Sequence, residues 1–234
     1  SSKEEMFYWK LVNDPKWYIE SFLKIRNKQS QLVPFILNNA QNIVMKEMIK
    51  CEEEGRLKRF IVLKARQMGL STLFEGLIFQ DTSNNPFKNS IIVAHEEPAS
   101  VNLFNMSKLF FEKLPDVIRP MKKYSNGKIL SFENPTNDEN EKQENPGLMS
   151  KITIATAGAG EVGRSGTIHN VHASEVAFFP DPKTTMLGLM QSVPDEMNTL
   201  VVLESTANGV GGYFQEMWQS AVKGESEFIP IFLP

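Results

Sequence analysis

The chain has 234 residues, 41% hydrophobic and 23% charged, proportions that exclude fibrous and disordered classes and suit one sizeable α/β domain. A net charge of −3 and a pI near 5.7 exclude a uniformly basic nucleic-acid binder, so any such contact needs a local patch. A lone Cys51 excludes an internal disulfide, three histidines argue against structural zinc, and without a charged-then-apolar leader or an apolar run near about 18 residues the expectation is a cytosolic, soluble chain with no membrane span.

Residues 1–34 read as a helical preamble. Asp14-Pro15 supplies N-cap and first-turn chemistry for a helix over 16–26, carrying Trp17, Ile19, Phe22, Leu23 and Ile25, and 27–34 reads as the closing turn. A second helix is predicted over 39–54, with Ala40, Ile43, Val44 and Met48 at helical spacing and Gly55 as its stop. The period then changes. Strands are predicted at 59–63, 90–94, 168–173, 199–203 and 228–232, and helices at 73–79 and 100–113. Residues 128–132 and 151–156 read as a β pair separated by an acidic, solvated loop at 133–147. Apolar runs alternating with helical patterns imply an α/β fold, a mainly parallel central sheet with helices on both faces. The last strand ends at Pro234, and the expectation is a fragment cut at a linker.

Lys64-Ala65-Arg66-Gln67-Met68-Gly69-Leu70-Ser71-Thr72 lies between a predicted strand and a predicted helix. In a standard phosphate loop two glycines bracket four residues and are followed by Lys and Ser/Thr. On that pattern Gly69 is the second glycine, Ser71 the hydroxyl residue, Leu70 stands at the lysine position and Lys64 at the first glycine. Backbone N–H groups at the helix start still cradle phosphate, an ammonium from position 64 can approach the same oxygens, and the Ser71 hydroxyl can ligate Mg²⁺. A strand-turn-helix connection with incidental basic residues is the plainer alternative.

Downstream, the strand Ile168-His169-Asn170-Val171-His172-Ala173-Ser174-Glu175 resembles the ATPase strand that ends in an acidic pair, with Ser174 in place of the usual Asp. Glu175 beyond that strand would polarise an attacking water; a surface or capping Glu is the alternative. His169 and His172 point to opposite faces of a strand and read as structural residues, not a shared metal site. Arg164, within Gly160-Glu161-Val162-Gly163-Arg164-Ser165-Gly166, sits in a glycine-flanked loop that could offer a guanidinium to a neighbouring site, or only to solvent. Glu204-Ser205-Thr206-Ala207-Asn208-Gly209 places small hydroxyl residues at a strand end, where they can sense a γ-phosphate.

Together these stretches resemble the N-terminal ATPase domain of the large terminase, the genome-packaging motor of tailed bacteriophages and related viruses. The resemblance covers about residues 30–234 and rests on 64–72, Gly-Arg-Ser-Gly at 163–166, Ala-Ser-Glu-Val-Ala-Phe at 173–178 and Glu-Ser-Thr-Ala-Asn-Gly at 204–209. It implies a P-loop NTPase of the additional-strand, catalytic-glutamate type over residues 35–234, using ATP and Mg²⁺ to move double-stranded DNA into a procapsid. The resemblance makes Lys64 the displaced loop lysine, Arg66 a phosphate-holding residue and Ala65, Gln67, Met68, Gly69, Leu70, Ser71 and Thr72 the rest of the nucleotide loop. By the same resemblance Glu175 is the catalytic glutamate, Arg164 an arginine acting in trans on the next subunit of a ring, and Ser205-Thr206-Ala207 the coupling motif. Gln41 resembles the glutamine that reads the adenine edge, with Phe35 and Ile36 as base-packing neighbours. Ser71 would hold the metal directly and Ser174 through water. Implied partners are the portal protein, the small terminase subunit and further copies of the chain in a homo-oligomeric ring, with a monomer expected in isolation and the host cytoplasm as location. The family's nuclease half is expected to be absent. Two departures stand out: Leu70 at the usual lysine position bears on phosphate binding, and Ser174 without a carboxylate bears on metal affinity.

Arg119, Lys122, Lys123 and Lys128 form a basic stretch that could grip duplex phosphates non-specifically; a solvated face is the commoner fate of so short a cluster. Two rival functions fit the same motifs. One is the leading domain of a helicase-type translocase, and the other is a nucleotide-binding scaffold that has lost catalysis.

Overall fold

The computed structural model describes residues 2–158 and 166–234. Ser2 and Glu5 form a capping box on α1 (Lys3–Asn13), and the Asp14 side chain accepts the Trp17 N–H at the head of α2 (Pro15–Phe22). The helix predicted over 16–26 is α2, and it stops at Phe22. The chain then pairs β1 (Lys24–Arg26) antiparallel with β2 (Leu32–Pro34), so the stretch read as a closing turn is half of a hairpin. The Asn27 side chain accepts the N–H groups of Gln29 and Gln31 and sets that turn, a competition with helix that asparagine often wins.

The next elements fall where predicted, though the helix expected at 73–79 runs from Leu70 to Asn84. They are α3 (Asn39–Glu53), β3 (Lys58–Lys64), α4 (Leu70–Asn84), β4 (Asn89–Ala94) and α5 (Glu97–Lys113). A short antiparallel edge comes next, made of β5 (Tyr124–Ser125), β6 (Ile129–Glu133) and the first part of β7 (Gly147–Thr156). The acidic loop between β6 and β7 is exposed and carries one short helix, α6 (Glu139–Glu144). The chain closes with β8 (Asn170–Ser174), α7 (Pro182–Gln191), β9 (Leu200–Ser205), α8 (Tyr213–Val222) and β10 (Ile229–Leu233). Helices α7 and α8 were not anticipated. In α7 polar residues and Gly188 interrupt the apolar ones and blur the helical period, whereas α8 carries Tyr213, Phe214, Met217, Trp218 and Ala221 at helical spacing, a signal that sequence reasoning passed over.

Among the described residues eight strands form one sheet in the order β10-β3-β9-β8-β4-β7-β6-β5, parallel from β10 to β7. Strand β9 therefore separates β3, which leads into the phosphate-loop sequence, from β8, which ends at Ser174-Glu175. That inserted strand is the mark of the additional-strand class expected from the motifs. Alternation along β3 divides the core. Phe60 and Val62 pack against α2, α3, α4 and α5, while Ile61 packs with Val171, Val201 and Leu203 under α7 and α8. Leu11, Tyr18, Ile19 and Leu23 are buried in the same core as Leu73 and Phe74 of α4, so the leading helices share a core with the sheet.

Candidate active site

Because the strands are parallel, the carboxyl ends of β3, β8 and β9 open on one rim, where α/β sheets place their ligands. At that rim the chain leaves β3 at Lys64, turns through exposed Ala65, Arg66 and Gln67, and enters α4 at Leu70. Gly69 is the N-cap of α4 with φ of 72°, and a Cβ there would lie 3.0 Å from the Gln41 Nε2, so glycine is required on both counts. Leu70 points inward and is 1% exposed, which explains why an apolar residue occupies the position that usually carries lysine.

The turn is braced from behind. The Gln41 Nε2 donates to the Gly69 carbonyl at 2.7 Å, while its Oε1 accepts the Asn38 N–H at 2.9 Å. The Asn38 side chain donates to the Met68 carbonyl, and Lys28 from the β1–β2 turn donates to the Gln67 side chain. Phe35 is 1% exposed and stacked on Phe110, whereas Ile36 is 63% exposed. Gln41, expected at the adenine edge, braces the loop here, and Phe35, expected to pack on the base, is buried in the core.

Lys64, expected as the displaced loop lysine, reaches the rim between two carboxylates. Its Nζ lies 3.2 Å from the Glu175 Oε1 and 3.4 Å from the Glu204 Oε2. Burial alone would lower its pKa, but the two carboxylates outweigh burial and raise it, so the lysine stays charged. Glu175 adopts a left-handed backbone conformation at φ 58°, a strained position for a glutamate that turns its side chain back over the rim. Its Oε2 accepts from both the N–H and the hydroxyl of Thr206, each at 3.0 Å, and lies 3.3 Å from the Ser205 hydroxyl. The expected catalytic glutamate and the expected coupling residues are therefore in direct contact. Ala207 follows them on the exposed side of the rim.

The residue that sequence reasoning passed over is Glu204. It is fully buried, and its Oε1 accepts the Ser71 hydroxyl at 2.6 Å and an N–H of His172 at 2.7 Å. The other ring nitrogen of His172 is 2.6 Å from Glu75 on α4. Burial would push the His172 pKa down, yet the two flanking carboxylates raise it to about 9. Burial would likewise raise the Glu204 pKa, but His172, Lys64 and Ser71 lower it to about 2. Glu75, held by His172 and Ser107, is raised by burial. A signal for this network existed in the sequence: a carboxylate ending the apolar run Leu200-Val201-Val202-Leu203 is buried at a cost that requires partners. His169 is separate from it, its Nδ1 accepting the Asn89 N–H.

These groups suit Mg²⁺ held mainly by phosphate oxygens, since a hydroxyl and an ionised carboxylate stand beside the loop and the Glu204 Oε2 is buried without a hydrogen-bond partner. Among the described residues no cluster of three His, Cys, Asp or Glu side chains would cage a metal unaided. Ser174, the expected water-mediated metal contact, ends β8 as a buried neighbour of Glu204. Arg164 lies outside the described residues.

The basic stretch sits at the far edge of the sheet from β3. Arg119 is paired with Asp116, Lys123 with Glu133, and Lys122 lies over the Phe111 ring, while Lys128 is exposed. Two of these four cations are thus neutralised by their own chain.

No family model matches the sequence. Solved structures do. The chain superposes on the Thermus phage P74-26 large terminase ATPase domain with a TM-score of 0.63 at 14% identity, covering 85% of this chain and 81% of that one. A variant of the same domain with one arginine replaced by alanine gives 0.60 at 14% identity over the same shares. The HK97 bacteriophage large terminase gives 0.70 at 13% identity, covering 93% of this chain and 43% of that one. At these identities the likeness establishes the fold. The chain folds as large-terminase ATPase domains do, and it spans less than half of the HK97 protein.

Proposed function

We propose that the chain is the ATPase motor domain of a phage large terminase, one that hydrolyses ATP with Mg²⁺ to drive double-stranded DNA into a procapsid. The observation that carries this reading is the meeting of Lys64, Ser71, Glu175 and Thr206 at one rim, on the loop and strand ends the motifs named.

The loop amides from Arg66 to Gly69 and the Lys64 ammonium hold the phosphates, with the Arg66 side chain exposed on the same turn. Ser71 would hold the Mg²⁺ beside the phosphates, and the chemistry such an ion would supply when bound is neutralisation of charge on the transferred phosphoryl group. Glu175 orients a water and takes its proton as the water oxygen bonds to the γ-phosphorus and the bond to the β-phosphate oxygen breaks, leaving ADP and phosphate. Lys64 and Glu175 are paired in the present arrangement, so an incoming phosphate competes for the ammonium and frees the glutamate. Ser205 and Thr206 hold the opposite carboxylate oxygen and feel that change directly. Arg164 would complete a site on the neighbouring subunit of a ring. The portal protein, the small terminase subunit and duplex DNA are the partners such a motor requires.

Phosphate release measured across a wide range of protein concentration, with Glu175→Ala as the blank, tests the reading. Release above the blank, with specific activity climbing as concentration rises, is expected for sites completed between subunits. ATP bound without release above the blank, with duplex DNA and portal supplied, would replace the motor with a nucleotide-binding scaffold.

A further inference from the structure

Ser174 and Glu204 are register partners on the adjacent strands β8 and β9. Position 174 is where the motif calls for an aspartate, and the serine there has no charge to give. One strand over, at the same level of the sheet, stands a carboxylate. Strand β9 is also the direct neighbour of β3, whereas β8 is one strand further from the loop. A glutamate, one methylene longer than aspartate, reaches the start of α4 from there: its Oε1 lies 2.6 Å from the Ser71 hydroxyl.

We propose that Glu204 carries the metal-anchoring role that Ser174 lacks, holding Ser71 by one oxygen and presenting the other to the water shell of the nucleotide-bound cation. Three features on the rim support this. A serine hydroxyl has a single proton, and donating it to Glu204 leaves only lone pairs for a cation. The second oxygen of Glu204 is buried and has no hydrogen-bond partner, only the ammonium of the loop lysine Lys64 at 3.4 Å, so it keeps acceptor capacity to spare beside the loop. The carboxylate is also fixed from behind, because His172 bridges it to Glu75 on the helix that carries Ser71. Three elements, α4, β8 and β9, are thereby tied to a single side chain. The inference rests on the loop being an ATP site.

The test is Mn²⁺ binding to the 234-residue chain, followed by electron paramagnetic resonance with and without a non-hydrolysable ATP analogue. Glu204→Gln is expected to weaken Mn²⁺ binding in the analogue complex by about tenfold or more, the effect of losing an outer-shell partner. Analogue affinity measured in EDTA should stay within about twofold of wild type on the same reasoning. Glu204→Asp keeps the charge facing His172 but withdraws from Ser71; it should show the same loss and serves if the glutamine variant does not fold. Wild-type Mn²⁺ affinity in both Glu204 variants would overturn the inference while leaving the ATP site standing. If wild type binds no Mn²⁺ with the analogue, the ATP-site reading falls and takes this inference with it.

Discussion

Thr206 grips Glu175 twice, through its backbone N–H and through its hydroxyl, both at 3.0 Å from the same carboxylate oxygen. The residue proposed to activate water and the residue proposed to pass on the result thus touch without an intermediary. Replacing Thr206 by valine keeps the shape and removes one donor. A hydrogen bond to a charged acceptor contributes about 1.5–3 kcal/mol, so turnover should fall about ten- to a hundredfold. Binding of a fluorescent ATP analogue should persist. Phosphate release beside analogue titration measures both, and wild-type turnover would show that the contact has no part in positioning Glu175.

Lys64 does two jobs that one substitution should expose together. Without nucleotide it faces both Glu175 and Glu204, so Lys64→Met removes the cation beside Glu175 and leaves Glu204 with His172 alone, at a cost of about 1.5–3 kcal/mol. Thermal unfolding should register that loss, and analogue affinity should drop as well. A variant that melted like wild type and still bound the analogue would mean that another cation holds both the carboxylates and the phosphates.

The Glu75–His172–Glu204 bridge gives stability a pH dependence with a definite sign. The folded pKa of His172, about 9, lies above its ordinary value of 6.5. Its charge therefore stabilises the fold in full below pH 6.5, and that contribution is lost as the pH rises through about 9. Melting temperature should fall between pH 7 and pH 9.5 more steeply in wild type than in His172→Asn, which cannot titrate there. Parallel slopes for the two proteins would show that the imidazole is neutral in the fold.

Phe35 separates a core role from a ligand role. Its ring is buried against Phe110, so Phe35→Ala should cost about 3–5 kcal/mol of stability by denaturant unfolding. Phe35→Leu, which refills most of the space, should leave adenine-nucleotide affinity unchanged. A selective loss of affinity in the leucine variant would restore the base-packing role.

Much of the sheet was legible because buried parallel strands are written as unbroken apolar runs, as in Phe60-Ile61-Val62-Leu63 and Ser90-Ile91-Ile92-Val93-Ala94. The loop, Glu175 and the Ser205-Thr206 pair were legible as motifs whose spacing is set by strand ends. What escaped was decided by partners far away in sequence. Glu204 acquires its place only because β9 inserts between β3 and β8, and Gln41 is drawn off by a carbonyl that folding brings to it. The hairpin at 24–34 escaped because Asn27 offers the backbone local hydrogen bonds that override a helical pattern.

Both shoulders of the phosphate loop are pinned. On one side the Ala65 N–H is bonded to the Leu233 carbonyl, continuing the register of β10 along β3; on the other, Asn38 and Gln41 hold the carbonyls of Met68 and Gly69. The span left between these anchors is Arg66-Gln67, and Lys28 steadies the second of these. Such a loop behaves like a short beam clamped at its two ends, with little slack to take up when a ligand arrives. On the proposed function a nucleotide would meet a bowl already set, and little of its binding free energy would go into shaping one. Whatever strain the phosphates bring is relayed outward along the clamps, to β10 on one flank and α3 on the other.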